Sequence, residues 1–363
     1  MAQAPLHGIR VLSLAEQYPG PYATQLLADM GAEVILIERP QGGDPSRRFQ
    51  GLFNSFNRNK QSVTLNLKSD EGRASFFQLL EDTDVVLEGF RPGVMERLGL
   101  SAKALRTKKP SLIYVSISSF GQTGPWSHIA GHDLSIQGAL GLLRAIPGEE
   151  KRSDVPMLPL ADISSAMFAA LGVVTALFDR MRTQQGGTLD ISMQDSLLSW
   201  MTPFLTPPMN QWPIRDLPPL DPGYGIFSTK DKKQITISIA GEDSMWRDLC
   251  HLLQLNDAAD LNESQRSAKT DEIDSKLRQA IYKWNYAELY AKLEEKGIAF
   301  GPVLPMSEVM NNPQIKSRPL IGQVNGNRYV LQPILFDGQN FDLKRDAPQL
   351  GEHNKHWIQS INK

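Results

Sequence analysis

The sequence predicts an α/β protein in which a Rossmann-like large domain with a parallel sheet is joined to a smaller α+β domain. Three observations carry this reading. Short, nearly continuous apolar strands alternate with helical stretches in the first part of the chain, the pattern of a parallel sheet covered on both faces. Prolines crowd the stretch after Thr202, and beyond them a hairpin is followed by helices. At 363 residues, 41% hydrophobic and 21% charged, the chain exceeds what one core usually fills.

The elements follow in order. Residues 8–14 read as a strand, 22–30 as a helix and 33–38 as a second apolar strand, which makes a βαβ unit. A helix over 70–80, a strand over 84–88, a short helix over 93–98 and a strand over 112–117 continue the alternation. A long helix rich in Ala, Leu, Val and Met spans 164–182 and ends at Gln185-Gly186-Gly187, before a strand over 188–192. Seven prolines between 202 and 222 predict an extended crossing segment. A hairpin (225–228, turn at 230–232, 234–240) and helices near 243–253, 271–282 and 286–296 then make the small domain. The expected boundaries are 1–200 for the large domain, completed by 329–363, 223–302 for the small domain, and linkers over 201–222 and 303–328.

Charge and cysteine usage narrow the function. A net charge of −2 from interspersed charges leaves no basic face for nucleic acid and no polybasic membrane anchor. No apolar run is expected to reach membrane-spanning length, and residues 1–12 lack a charged region followed by an apolar one, so a cytoplasmic protein is expected. The single cysteine, Cys250, permits no intramolecular disulfide and reads as a buried apolar residue.

The βαβ opening invites a dinucleotide reading, with Glu38 placed to hold ribose hydroxyls. The first turn, Ala15-Glu16-Gln17-Tyr18-Pro19-Gly20-Pro21, refutes it, because a single glycine among prolines cannot cradle a pyrophosphate. No Walker sequence or clustered Cys/His set appears, so neither a nucleotide cofactor nor a metal is expected. What remains are a histidine and carboxylates, His132-Asp133 and Asp162, suited to proton transfer or to a carboxylate nucleophile. Taken alone, Asp162 reads as a helix N-cap ahead of Ser164-Ser165-Ala166. Arg39, Lys68 and Arg97 follow strands or flank loops at the expected ligand edge, where they could hold phosphates.

A linked series of motifs adds to this. Pro19-Gly20-Pro21-Tyr22-Ala23, Glu38-Arg39-Pro40, Gly43-Asp44-Pro45, Asn57-Arg58-Asn59-Lys60, Glu88-Gly89-Phe90-Arg91-Pro92-Gly93 and Phe120-Gly121-Gln122-Thr123-Gly124-Pro125 occur in this order. They continue through Leu189-Asp190-Ile191-Ser192-Met193 and Gly301-Pro302-Val303 to Pro348-Gln349-Leu350-Gly351-Glu352-His353. In order and spacing they resemble the family III CoA-transferases, a superfamily that also contains 2-methylacyl-CoA racemases.

The resemblance implies an interlocked homodimer and coenzyme A, carried as an acyl-CoA substrate. It places Glu16, Gln17, Leu65, Gly89, Phe90 and Arg97 in contact with the coenzyme. It makes Asp162 the nucleophile of a transferase, which would carry CoA as an aspartyl-CoA thioester between an acyl-CoA and a carboxylic acid. The same resemblance aligns His132, Asp162 and Glu242 with the proton-transfer positions of racemases, which leaves α-proton exchange as the alternative chemistry. Glu242 taken alone reads as an acidic helix start. A non-catalytic CoA-binding partner subunit is the third alternative. Tyr18 and Ala130 replace a glutamine and a lysine of formyl-CoA transferases, and only Pro222-Gly223-Tyr224-Gly225 stands where those enzymes carry a glycine-rich loop, so oxalate and formate are disfavoured as substrates.

Overall fold

The computed structural model describes residues 4–143, 151, 154–213 and 221–358. The chain forms two compact units, one of Met1–Thr202 with Arg318–Lys363, the other of Pro203–Ser317.

In the first unit six strands make one parallel sheet. In chain order the elements are β1 (Arg10–Ser13), α1 (Pro19–Asp29), β2 (Glu33–Glu38), α2 (Gln50–Asn57), β3 (Lys60–Thr64), α3 (Asp70–Glu81), β4 (Val85–Glu88), α4 (Val94–Arg97), α5 (Ala102–Lys108) and β5 (Ile113–Ser118). There follow α6 (Asp133–Ala139), α7 (Leu160–Thr183), β6 (Thr188–Ser192) and α8 (Met193–Trp200). The strand order is β3-β2-β1-β4-β5-β6, so the sheet reverses direction of growth between β1 and β4. Alternation along each strand explains the continuous apolar runs. Val11, Val34, Val85, Leu87 and Val115 face one core with α1 and α7, whereas Leu12, Ile35, Ile37, Val63, Val86 and Tyr114 face a second core with α3 and α5.

Buried polar contacts fix the strand ends. Glu38 closes β2 with only 6% of its surface exposed, and its carboxylate accepts Nε and Nη2 of Arg47 at 2.7 Å each, the Ser62 hydroxyl at 2.6 Å and the Asp44 N–H at 2.9 Å. Burial alone would push this carboxyl up, yet the bonds from Arg47, Ser62 and the Asp44 N–H hold it below the ordinary glutamate range. No acceptor capacity is left for a ribose. Gly43 lies inside this loop at φ +59°, and a Cβ there would stand 2.6 Å from Glu38 Oε1.

The C-terminal segment seals the edge strand. The Gly351 N–H donates to the Ser62 hydroxyl (2.9 Å), the His353 N–H to the Ser62 carbonyl (2.9 Å), and the Asn354 side chain pairs with the Thr64 N–H (2.8 Å) and hydroxyl (2.8 Å). The Pro348 carbonyl accepts from Arg47, so the C-terminal motif ends on the same Glu38 network.

Three sequence expectations need correction. The stretch expected to be extended after Thr202 begins as a helix, α9 (Thr202–Met209). Proline already has helical φ, Pro203 sits in the first turn where no intrahelical N–H partner is required, and Pro207 and Pro208 fall in the last turn. Pro213 follows the helix as exposed coil, and Pro218 and Pro219 lie outside the described residues. The 303–328 segment is likewise structured, with helices at Met306–Val309 and Pro313–Ser317 and the strand Ile321–Val324 paired antiparallel with Asn327–Val330. Finally, α7 is long and apolar enough to cross a membrane by length and composition, with mean hydropathy 1.8 over its richest window. Ser165 and Thr175 return their hydroxyl hydrogens to the preceding turn, which lets them sit in an apolar helix. One face of α7, including Ala161, Ala166, Ala169, Val173 and Leu177, is buried in the first core.

The second unit has its own core. The hairpin Tyr224–Ser228 with Gln234–Ser238, extended by Phe300–Pro302, packs Phe227, Ile235 and Ile237 against Trp246, Leu249, Leu277 and Leu289. Cys250 is fully buried there, and burial pushes its thiol up to about 12.

Replacing Arg47 with Ala leaves the Glu38 carboxylate buried without its cation. Denaturant unfolding of the variant is expected to show a loss of roughly 3–5 kcal/mol in the first unit's transition. Unchanged stability would mean that the Glu38 network is not a structural anchor.

Candidate active site

A cleft of about 430 Å³ opens where β1 and β4 diverge, at the carboxyl ends of the strands. Open parallel sheets place their ligands at this switch point, because the loops after neighbouring strands turn to opposite faces and leave a gap. Each wall comes from a separate loop. Ala15 to Gly20 follow β1, Gly89 to Pro92 follow β4, Ile117 to Ser119 end β5, and Ile129 to His132 precede α6. Asp162, in the first turn of α7, closes the cleft.

Local geometry is set residue by residue. Gly20 is required at the start of α1, since a Cβ would lie 2.0 Å from the Cβ of Ala15. Gln17 adopts the left-handed conformation at φ 70°, which costs a side-chain-bearing residue strain and concentrates at functional loops. Its N–H is held by both Asp44 carboxylate oxygens, at 3.2 and 3.1 Å, and Asp44 also accepts from the Ser46 N–H and hydroxyl. Because Glu38 grips the Asp44 N–H, the loop after β2 positions the loop after β1.

Asp162 is the third residue of its helix, and Pro159 takes the N-cap position without a side-chain cap. The expected capping role for Asp162 is therefore not its use. That task falls to Asp133, at the start of α6, whose Oδ1 accepts the Ala161 N–H at 2.7 Å while Oδ2 accepts from Gln137 at 2.7 Å. Among the described residues the Asp162 carboxylate accepts no hydrogen bond. Burial pushes the Asp162 carboxyl up to about 7, and the negative Asp133 adds to the shift. A partly desolvated carboxylate without hydrogen-bond partners is a stronger nucleophile and base than one bathed in water.

The other sequence-predicted residues sort by place. Glu16, Gln17, Gly89, Phe90 and His132 line the cleft with Asp162. Burial raises the Glu16 carboxyl, against the pull of Arg39 4.0 Å away. Arg39, Leu65, Lys68 and Arg97 follow β2, β3 and β4, so topology puts them on the same carboxyl edge of the sheet, outside the cleft lining. Arg39 donates to the Gly43 carbonyl at 2.7 Å, Lys68 and Arg97 are exposed, and Leu65 is buried. Glu242 belongs to the second unit, where it accepts the Ala240 N–H at 2.7 Å. Glu88 was not singled out by sequence. It accepts the Phe90 N–H at 2.7 Å and shapes the turn that presents Gly89 and Phe90, and burial pushes it up to about 7. Among the described residues no group of three or more His, Cys, Asp or Glu side chains could hold a metal ion.

The sequence profile of CoA-transferase family III matches residues 6–354. The chain belongs to CoA-transferase family III. It is 32% identical to an acetyl-CoA:oxalate CoA-transferase of Acetobacter aceti, over 96% of this chain and 94% of that one. It is 31% identical to a succinate–glutarate CoA-transferase of Agrobacterium fabrum, with the same coverage. A crystal structure of a CaiB/BaiF family protein from Brucella suis superposes with a TM-score of 0.85 at 28% identity, covering 99% of this chain and all of that one. The acids differ between these relatives, and the reaction they share is CoA transfer, with CoA thioesters as substrates.

If Asp162 reacts as its carboxylate, kcat/KM for a CoA thioester should rise as pH increases through about 7 and level off above it. Asp133→Asn keeps an acceptor for the Ala161 N–H but removes the like charge. Its acid limb should move to lower pH, and an unmoved limb would show that Asp133 does not tune Asp162.

Proposed function

We propose that this family III protein moves CoA between an acyl-CoA and a carboxylic acid through an aspartyl-CoA thioester on Asp162. The observation that carries this reading is the Asp162 carboxylate itself, part-desolvated and, among the described residues, without a hydrogen-bond partner, in a cleft at the switch point. In the reaction, an Asp162 oxygen attacks the thioester carbonyl carbon, the C–S bond breaks, and a mixed anhydride and CoA thiolate result. The thiolate attacks the aspartyl carbonyl and expels the donor carboxylate. An acceptor carboxylate then attacks the aspartyl thioester, and CoA returns to the acceptor carbonyl by the mirror steps. No proton, ATP or hydride is consumed. Gly89, Phe90, Glu16, Gln17 and Leu65 are the proposed neighbours of the coenzyme, with Arg39, Lys68 and Arg97 taking its phosphates.

One observation favours a second chemistry. His132 lines the same cleft as Asp162, and a histidine paired with a carboxylate can exchange the α-proton of an acyl-CoA. Glu242 is the further group proposed for that reading.

The homodimer is also proposed, supported by an uncovered apolar stripe on α7. Met167, Leu171, Val174, Phe178 and Met181 recur at helical spacing and are 38–75% exposed. A second copy of the chain would cover it.

Two measurements test these statements. Wild-type enzyme incubated with acetyl-CoA or succinyl-CoA should show the Asp162 peptide heavier by CoA less one water, and Asp162→Asn should lose the adduct and roughly 10³-fold or more of its turnover. Turnover without an adduct, together with α-deuterium uptake from heavy water in the absence of any acceptor acid, would transfer the assignment to the His132–Asp162 exchange. Phe178→Glu with Met181→Glu should convert a dimer to a monomer in sedimentation, and an unchanged mass would remove the α7 stripe from the interface.

A further inference from the structure

The cleft contains a polar group that neither the nucleophile nor the CoA-holding loops use. Tyr18 ends the loop after β1 and precedes the first residue of α1. Its ring packs edge-on against Phe56, with centroids 4.6 Å apart at 67°, and against Tyr22 at 6.4 Å and 77°. Aromatic packing therefore sets the direction of the ring. Tyr18 lines the same cleft as Asp162, and among the described residues its hydroxyl makes no hydrogen bond. Burial raises the phenol, and the Asp162 charge raises it further, so Tyr18 stays a donor across the range in which Asp162 ionises.

Each step of acyl transfer at Asp162 passes through an oxyanion. When a carboxylate or thiolate adds to a carbonyl carbon, the C=O becomes C–O⁻, and its collapse re-forms the C=O and expels the leaving group. A donor fixed in advance at that oxygen stabilises the intermediate more than the ground-state carbonyl. We propose that the Tyr18 hydroxyl donates a hydrogen bond to this oxyanion and is a catalytic residue of the transfer. Tyr18 keeps its proton throughout and leaves the cycle unchanged. The assignment rests on Asp162 as nucleophile.

Tyr18→Phe keeps the ring and its stacking and removes only the donor. The assay uses whichever pair wild type turns over fastest among acetyl-CoA and succinyl-CoA as donors and oxalate, glutarate and L-malate as acceptors. The Phe variant is expected to lose about 100-fold in kcat, with KM for the thioester within roughly twofold and an unchanged melting temperature. In rapid-quench mass spectrometry Asp162 should still acquire CoA, slowed by the same factor. Tyr18→Gln restores a neutral donor and should recover about tenfold over the Phe variant. Wild-type kcat and loading rate in the Phe variant, or a loss confined to KM, would overturn the assignment while leaving the Asp162 reading intact. A wild-type enzyme that turns over without ever loading CoA on Asp162 would remove that reading, and the Tyr18 assignment with it.

Discussion

The structure of the site depends on one buried carboxylate, Glu38, and on the donors that converge on it. Arg47, the Ser62 hydroxyl and the Asp44 N–H satisfy it, and through them the end of β2, the turn before α2, the edge strand β3 and the C-terminal segment are held to one another. Asp44 in turn fixes the Gln17 N–H and with it a left-handed turn that the backbone would not otherwise favour. The cleft is therefore assembled from loops that are individually irregular and collectively over-determined. A buried ion pair of this kind is not a large net source of stability, but removing one member is costly, which makes it suited to fixing geometry.

Asp162 occupies the opposite circumstance. Its neighbour Asp133 takes the structural work at the α7 N-terminus, capping Ala161 and holding Gln137. Asp162 is left with burial and a like charge, both of which favour its neutral form and bring its ionisation to about 7. Environment thus separates the two carboxylates into one that caps a helix and one that is free of that task, as the proposed reactive group requires. Tyr18, directed by Phe56 and Tyr22 and unpartnered at its oxygen among the described residues, stands in the same relation to the scaffold.

Much of the sheet was readable in the sequence because β1, β2, β4 and β5 are buried on both faces and appear as unbroken apolar runs. The edge strand β3 was missed for the same physical reason. Its residues, Lys60, Gln61, Ser62, Val63 and Thr64, are largely polar, and their burial depends on partners distant in sequence: Lys60 on Pro21, Thr24 and Asn57, and Ser62 on Glu38 and His353. The helical start of the proline-rich segment was missed because Pro203 falls in the first turn, where an N–H has no helix partner to lose, and Pro207 and Pro208 come only as the helix ends. At the site, the loops after β1 and β4 and the residues His132 and Asp162 were marked by motif. The division of labour between Asp133 and Asp162 was not, since it turns on which carboxylate reaches the Ala161 N–H.

Oxygen exchange gives the most direct test of Asp162 as the covalent carrier. In the anhydride mechanism an acceptor carboxylate attacks the aspartyl thioester with one of its own oxygens, and that oxygen stays on Asp162 when CoA departs to the acceptor. With acceptor acid labelled with ¹⁸O in both carboxylate oxygens, a single turnover should leave one label, and repeated turnover up to two, on the peptide that contains Asp162, with none on the peptide that contains Asp133. Complete turnover with no label on Asp162 would contradict the account.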